Sequence, residues 1–312
     1  MLKKLWLSLP LSMICMFAQA QTVTTASSTP TNTLAPAKSG TTMSKSSVTA
    51  APTAGTSTTE VKKEEDPKVK FGMSIAGSYG TQVQKQADGT RKESITYEFT
   101  PSIAYDKYTF MIYTAYEQDL KDTGSNGSFL DPSYILSRAG WTLNDYFKLS
   151  PGAVLVLPVS DDAKNNRNLL YSVTGNLTLG LQTKALGLDA LSVSYMLGYT
   201  GNNTQFSTTA AGEPLTAYRI RNRLNVGYKF TDKFSLATRF QMDSNYSAVE
   251  AGVVKNSFLH FQSFAYALTD NLEISAGHSN DGSLLKGPDY KNNLKFFDEE
   301  SSSYSVGLEL SL

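Results

Sequence analysis

Residues 218–242 read YRIRNRLNVGYKFTDKFSLATRFQM, and this stretch decides the fold. Tyr218, Ile220, Leu224, Val226, Tyr228 and Phe230 keep one parity, while Arg219, Arg221, Arg223 and Lys229 occupy the positions between them. A period of two belongs to a strand, whose successive side chains leave on opposite faces. Thr231-Asp232-Lys233 interrupts the pattern, which resumes from Phe234 to Met242 with Arg239 on the cationic side. This is a hairpin with a tight polar turn. If the turn sets a simple register, Asp243 lies opposite Arg221 and Arg239 lies diagonal to Arg223.

The same alternation extends in both directions. Upstream it runs through Val69, Phe71, Met73, Ile75 and Tyr79; Ile95, Tyr97, Phe99, Ile103 and Tyr105; and Tyr108, Phe110, Ile112 and Tyr116. It continues through Ile135, Ala139, Trp141 and Leu143; Phe147, Leu149, Ala153, Leu155 and Leu157; Leu169 to Leu181; and Leu191 to Tyr199. Downstream lie Phe258 to Leu268, Leu272 to Ala276, and a final run of Tyr304, Val306, Leu308, Leu310 and Leu312. With the opening hairpin the count is about twelve strands.

Five short turns, at Asp106-Lys107, Asn144-Asp145, Lys184 to Asp189, Thr231 to Lys233 and Thr269 to Asn271, alternate with six longer polar stretches, at 84–92, 118–132, 158–168, 200–215, 246–255 and 280–300. Aromatic residues cluster beside the short turns, as Tyr105 with Tyr108 and Phe230 with Phe234 show. Apolar alternation with an aromatic rim points to an all-β fold, a closed antiparallel transmembrane β-barrel over residues 69–312. Mean hydropathy stays low in such a barrel because only every second residue meets lipid.

Residues 1–20 have the parts of a secretory signal peptide: Lys3 and Lys4, an apolar run from Leu5 to Phe17, and Ala18-Gln19-Ala20 as the cleavage site. Of the next 40 residues, 29 are Ser, Thr, Ala or Pro. Residues 21–68 are therefore expected to be a disordered periplasmic linker, unable to bury enough surface to fold. Without Lys3 and Lys4 the chain carries 26 basic and 28 acidic side chains, which argues against a nucleic-acid partner. The one cysteine, Cys15, falls in the signal segment, so the mature chain has neither disulfides nor thiolate metal sites.

The signal, the alternating strands from 69 to 312, the rhythm of short turns and long loops, and a terminal strand ending at the last residue together resemble the Gram-negative outer-membrane β-barrel class, porin-like proteins included. That class usually ends in an aromatic residue read by the barrel-assembly machinery; Leu312 stands there in this chain. The resemblance implies an integral outer-membrane protein in contact with lipid, its short turns and both termini periplasmic and its long loops outside. No single family is matched closely enough to transfer functional residues.

Function must be read from the inward face. A guanidinium facing lipid at mid-membrane costs roughly 2–4 kcal/mol, so Arg219, Arg221, Arg223 and Arg239, with Lys229, must face the lumen. Other inward candidates are Arg138 and Lys148, with Glu98, Glu117, Asp243, Glu273 and Glu309 as counter-charges. The cations could form a cross-lumen salt-bridge network that plugs the barrel. They could equally line a narrow pore for passive diffusion of small, anionic solutes by charge and bidentate bonding. In architecture the chain is similar to twelve-stranded porins that carry acidic sugars. Barrel diameter grows with strand number, so twelve strands give a lumen between the filled eight-stranded barrel and the open sixteen-stranded one.

An enzyme is the competing class, because Gly277-His278-Ser279-Asn280 is reminiscent of outer-membrane lipid acyl hydrolases. Adjacent residues leave a straight strand on opposite sides, so His278 and Ser279 would need a bulge, or Ser283 in place of Ser279, to meet. A barrel serving only structure or interaction is a further reading, with the linker reaching into the periplasm. His260 and His278 without clustered carboxylates make no metal pattern, and no cofactor is expected. Sequence does not decide between monomer and trimer.

Overall fold

A computed structural model describes residues 69–85, 89, 91–120, 127–209, 211–249, 254–286, 291–292 and 294–312. The expected signal peptide and linker lie outside the described residues.

Twelve strands form the wall: β1 (Val69–Lys85), β2 (Arg91–Tyr105), β3 (Tyr108–Asp119), β4 (Ser133–Arg138), β5 (Phe147–Val156), β6 (Leu169–Leu181), β7 (Leu191–Thr204), β8 (Thr216–Lys229), β9 (Phe234–Ser247), β10 (Val254–Ala267), β11 (Leu272–Ser283) and β12 (Ser302–Ser311). Each pairs antiparallel with its chain neighbour, and β12 pairs with β1 to close the ring. Closure removes free edges, so every strand has partners on both sides.

The short turns are fixed by their own side chains. Asn144 Oδ1 accepts the N–H groups of Tyr146 and Phe147, and Thr231 Oγ1 those of Lys233 and Phe234. Thr269 Oγ1 does the same for Asn271 and Leu272. Between β2 and β3 only Asp106 and Lys107 intervene, with Asp106 at φ 51°. Aspartate tolerates this left-handed region better than most residues.

One face of the wall carries the exposed apolar side chains, among them Phe71, Ile75, Phe99, Phe110, Leu155, Leu177, Leu224, Phe264 and Leu308. Exposed aromatics mark both rims: Tyr105, Tyr108, Trp141, Phe230 and Tyr266 beside the short turns, and Tyr79, Tyr97, Tyr171, Tyr199 and Tyr304 toward the long loops. Tyr218 and Tyr246 stack across β8 and β9 with centroids 4.4 Å apart, and Tyr199 joins them at 5.8 Å. An apolar band between two aromatic girdles is the outer surface of a bilayer-spanning barrel. On this face Asn222 is an isolated amide, and the Tyr195 hydroxyl donates to its Oδ1 at 2.5 Å. On the inner face the polar side chains of Ser94, Thr96, Ser172, Thr200, Gln241 and Asp243 are buried.

Two expectations are corrected. Ile135 faces inward beside Met111 and Val154, while Leu136 and Arg138 face outward beside Phe110 and Tyr108. The cause is an extra residue near Ala139–Gly140: Ser137 pairs with Gly152 but Trp141 with Leu149, so parity flips between them. Arg138 is therefore no lumen cation; its guanidinium carbon lies 4.1 Å from the Trp141 ring centroid at the short-turn rim. The eleventh strand does not stop at Ala276 but continues in unbroken register to Ser283, which places His278 and Asn280 within the wall.

Candidate functional site: an arginine row on the inner wall

The hairpin of β8 and β9 holds the row. Arg219, Arg221, Arg223, Asn225 and Lys229 stand opposite Asn245, Asp243, Gln241, Arg239 and Ser235. The three-residue turn therefore sets the simple register: Asp243 faces Arg221, and Arg239 is diagonal to Arg223. Lys229 sits exposed at the short-turn end.

Arg221 holds Asp243 through two parallel bonds, Nε to Oδ1 and Nη2 to Oδ2, each 2.8 Å. This is the strong bidentate geometry that a planar guanidinium offers a carboxylate. Arg219 Nη1 lies 3.8 Å from the same carboxylate. The other two guanidiniums are held by neutral amides: Arg223 Nε donates to Gln241 Oε1 and Arg239 Nε to Asn225 Oδ1, both at 3.0 Å. Gln241 Nε2 donates in turn to Asp243 Oδ2 at 3.1 Å, and Asn225 Nδ2 to Ser194 Oγ on β7 at 3.3 Å. Of four guanidiniums, only those of Arg219 and Arg221 meet a carboxylate, and the terminal nitrogens of Arg223 and Arg239 have no hydrogen-bonded protein acceptor among the described residues.

Several glutamates lie elsewhere on the inner wall. Glu98, Ala76, Glu309 and Glu273 occupy one paired row across β2, β1, β12 and β11. Ser74 Oγ donates to Glu309 Oε1 at 2.7 Å. Glu117 on β3 is opposite Thr96. In the ring β2 and β3 are six strands from β8 and β9 in either direction, so Glu98 and Glu117 stand across the barrel from the arginine row, while Glu273 on β11 is two strands from β9. Among the described residues the arginine row pairs with its neighbour strand and not with these glutamates, unlike a cross-lumen network. Lys148, inward as expected, pairs with Gly180 on β6.

His278 pairs with Tyr304 on the outer face, whereas Ser279 pairs with Ser303 on the inner face, their hydroxyls 2.7 Å apart. Ser283, in continuous register, shares the inner side with Ser279. Neither histidine bonds a serine among the described residues; His260 Nε2 meets Gln262 Nε2 at 3.1 Å. Sequence reasoning missed Asn225 and Gln241, although both have the arginine parity in the opening stretch. It also missed residues 294–301, which return along the outside of the wall.

No family model matches the chain. No curated protein matches it either. Among solved structures, an outer membrane channel from Pseudomonas putida F1 superposes with a TM-score of 0.54 at 10% identity, over 81% of this chain and 100% of that one. The NanC porin gives 0.49 at 13% identity over 77% and 100%, and the KdgM porin 0.46 at 12% over 77% and 99%. At these identities the shared property is the fold: this chain has the barrel architecture of outer-membrane channels.

Proposed function

We propose that the chain is a porin-like channel of the bacterial outer membrane, through which small anionic solutes diffuse passively along the inner face of β8 and β9. The observation that carries this reading is the charge imbalance of the row: four guanidiniums against Asp243, with the forks of Arg223 and Arg239 turned to no protein acceptor among the described residues. A carboxylate entering there meets two ready bidentate donors. The fold shared with an outer membrane channel and the double aromatic girdle support the location. In this reading residues 1–20 are the cleaved signal, 21–68 the periplasmic linker, and the short-turn rim faces the periplasm. Outer-membrane lipid surrounds the wall, and the barrel-assembly machinery inserts it. Transport is favoured over lipid hydrolysis because His278 and Ser279 leave β11 on opposite faces.

The test is the reversal potential of the refolded protein in a planar bilayer under a salt gradient. Discrete conductance steps with anion preference are expected, and the preference should vanish when Arg219, Arg221, Arg223 and Arg239 are all changed to Gln. Unchanged selectivity in a conducting variant refutes the role of the row.

A further inference from the structure

Outer-face parity leads to an anomaly on β10 and β11. His260, Gln262, His278 and Asn280 have the parity of Phe264, Tyr266 and Ile274, yet they are polar. Bare, they would present two amides and two imidazoles to lipid, where burying polar groups is costly. They are not bare. Asn280 is 0% exposed and His260 3%, because the chain from Leu294 to Ser301 lies back against the outside of the barrel.

Asn280 pins this segment. Its Nδ2 donates to the Lys295 carbonyl at 2.6 Å, and its Oδ1 accepts from Ser301 Oγ at 2.5 Å. Ser302 Oγ accepts the Asp298 N–H at 3.0 Å, and Lys295 Nζ meets Asp298 at 2.7 Å, so the one cation of the flap has its own carboxylate. Phe296 stands edge-on over His260 with centroids 4.9 Å apart, and Phe297 lies over His278 at 5.9 Å. Asn280 and His260 are covered beneath, His278 and Gln262 are partly covered, and apolar groups are displayed above: Phe296 is 69% exposed, Phe297 48% and Leu294 42%.

We infer that residues 294–298 are a lipid-contacting anchor, whose two phenyl rings sit at the acyl–headgroup boundary of the leaflet on the long-loop side. The occupant follows from continuity with the girdle. His278, which Phe297 covers, pairs directly with Tyr304, an exposed aromatic of that rim, and their rings are 5.3 Å apart. Aromatic side chains concentrate at this depth of a membrane protein. A second copy of the chain is the poorer fit: a stable interface needs about 800 Å² from each partner, whereas a phenyl ring supplies at most roughly 150–250 Å² and these rings are already part covered.

The experiment places a fluorophore in the flap. In a full-length chain with Trp6 and Trp141 both changed to Phe, Phe296→Trp is refolded into phosphatidylcholine vesicles, with barrel formation checked by heat-modifiable gel migration. Phe297→Trp serves as the second probe should the first fail to fold. Lipids brominated at carbons 6 and 7 are expected to quench the emission by at least half, and more strongly than lipids brominated at carbons 11 and 12. Unquenched emission overturns the inference, whether red-shifted from water contact or blue-shifted from burial against another protein. Quenching that fades as the protein-to-lipid ratio rises likewise assigns the surface to a second copy and overturns it.

Discussion

Tyr195 and Asn222 share a hydrogen bond on the outer face of the barrel, the phenol oxygen 2.5 Å from the amide Oδ1. With lipid outside, no water can replace the donor. Tyr195→Phe is expected to destabilise the barrel by about 1–3 kcal/mol, the cost of a desolvated polar group left without its partner. Tyr195→Phe with Asn222→Leu should recover most of that loss. Denaturant titration in vesicles checks both, and a double variant no more stable than the single one would deny the coupling.

Among the described residues Asp243 is the only carboxylate the arginine row engages. Asp243→Asn removes one negative charge and keeps the shape. Anion preference should rise, read as a larger reversal potential at equal salt gradient. Stability should fall by about 1.5–3 kcal/mol, because the bonds from Arg221 lose their charged acceptor. A drop in anion preference would mean that Asp243 helps bind the solute.

The amides Gln241 and Asn225 hold Arg223 and Arg239 by Nε without neutralising them. Gln241→Glu and Asn225→Asp convert these holders into counter-ions. Together they are expected to shift the reversal potential toward cations while leaving single-channel conductance within about twofold, since the size of the lumen is unchanged. Insensitivity of selectivity to the pair would separate ion discrimination from Arg223 and Arg239.

Gly140 sits where the register slips, and a Cβ there would lie 2.5 Å from Ser150 Oγ and 2.6 Å from Lys148 Cγ. Gly140→Val should destabilise by about 1–3 kcal/mol through overpacking. Gly175, with no atom within 4 Å of its ideal Cβ, is the matched control, and Gly175→Ala should be near neutral. Equal effects of the two substitutions would remove the steric explanation.

How much was legible depended on whether the period of two stayed intact. Thr231 to Lys233 closes a hairpin without irregularity, so counting from the turn gave the Arg221–Asp243 pairing and the diagonal Arg239 correctly. Arg138 was misplaced because one extra residue near Gly140 reverses every facing beyond it, and composition carries no sign of such a slip. The flap was missed for another reason. Alternation describes strands and is silent about a loop that doubles back, although His260, Gln262, His278 and Asn280 on an apolar parity were a visible conflict.

Eleven of the twelve strand pairings join neighbours in the chain, and only β12 with β1 joins its far ends. That seam finishes where Met73 and Leu312 exchange backbone bonds of 3.0 and 2.8 Å. The ring itself is cyclic and indifferent to where the polypeptide is cut. A circular permutant opened in a long loop, with a short linker bridging the old seam, would keep all twelve pairings and merely move the slowest loop closure to a different hairpin.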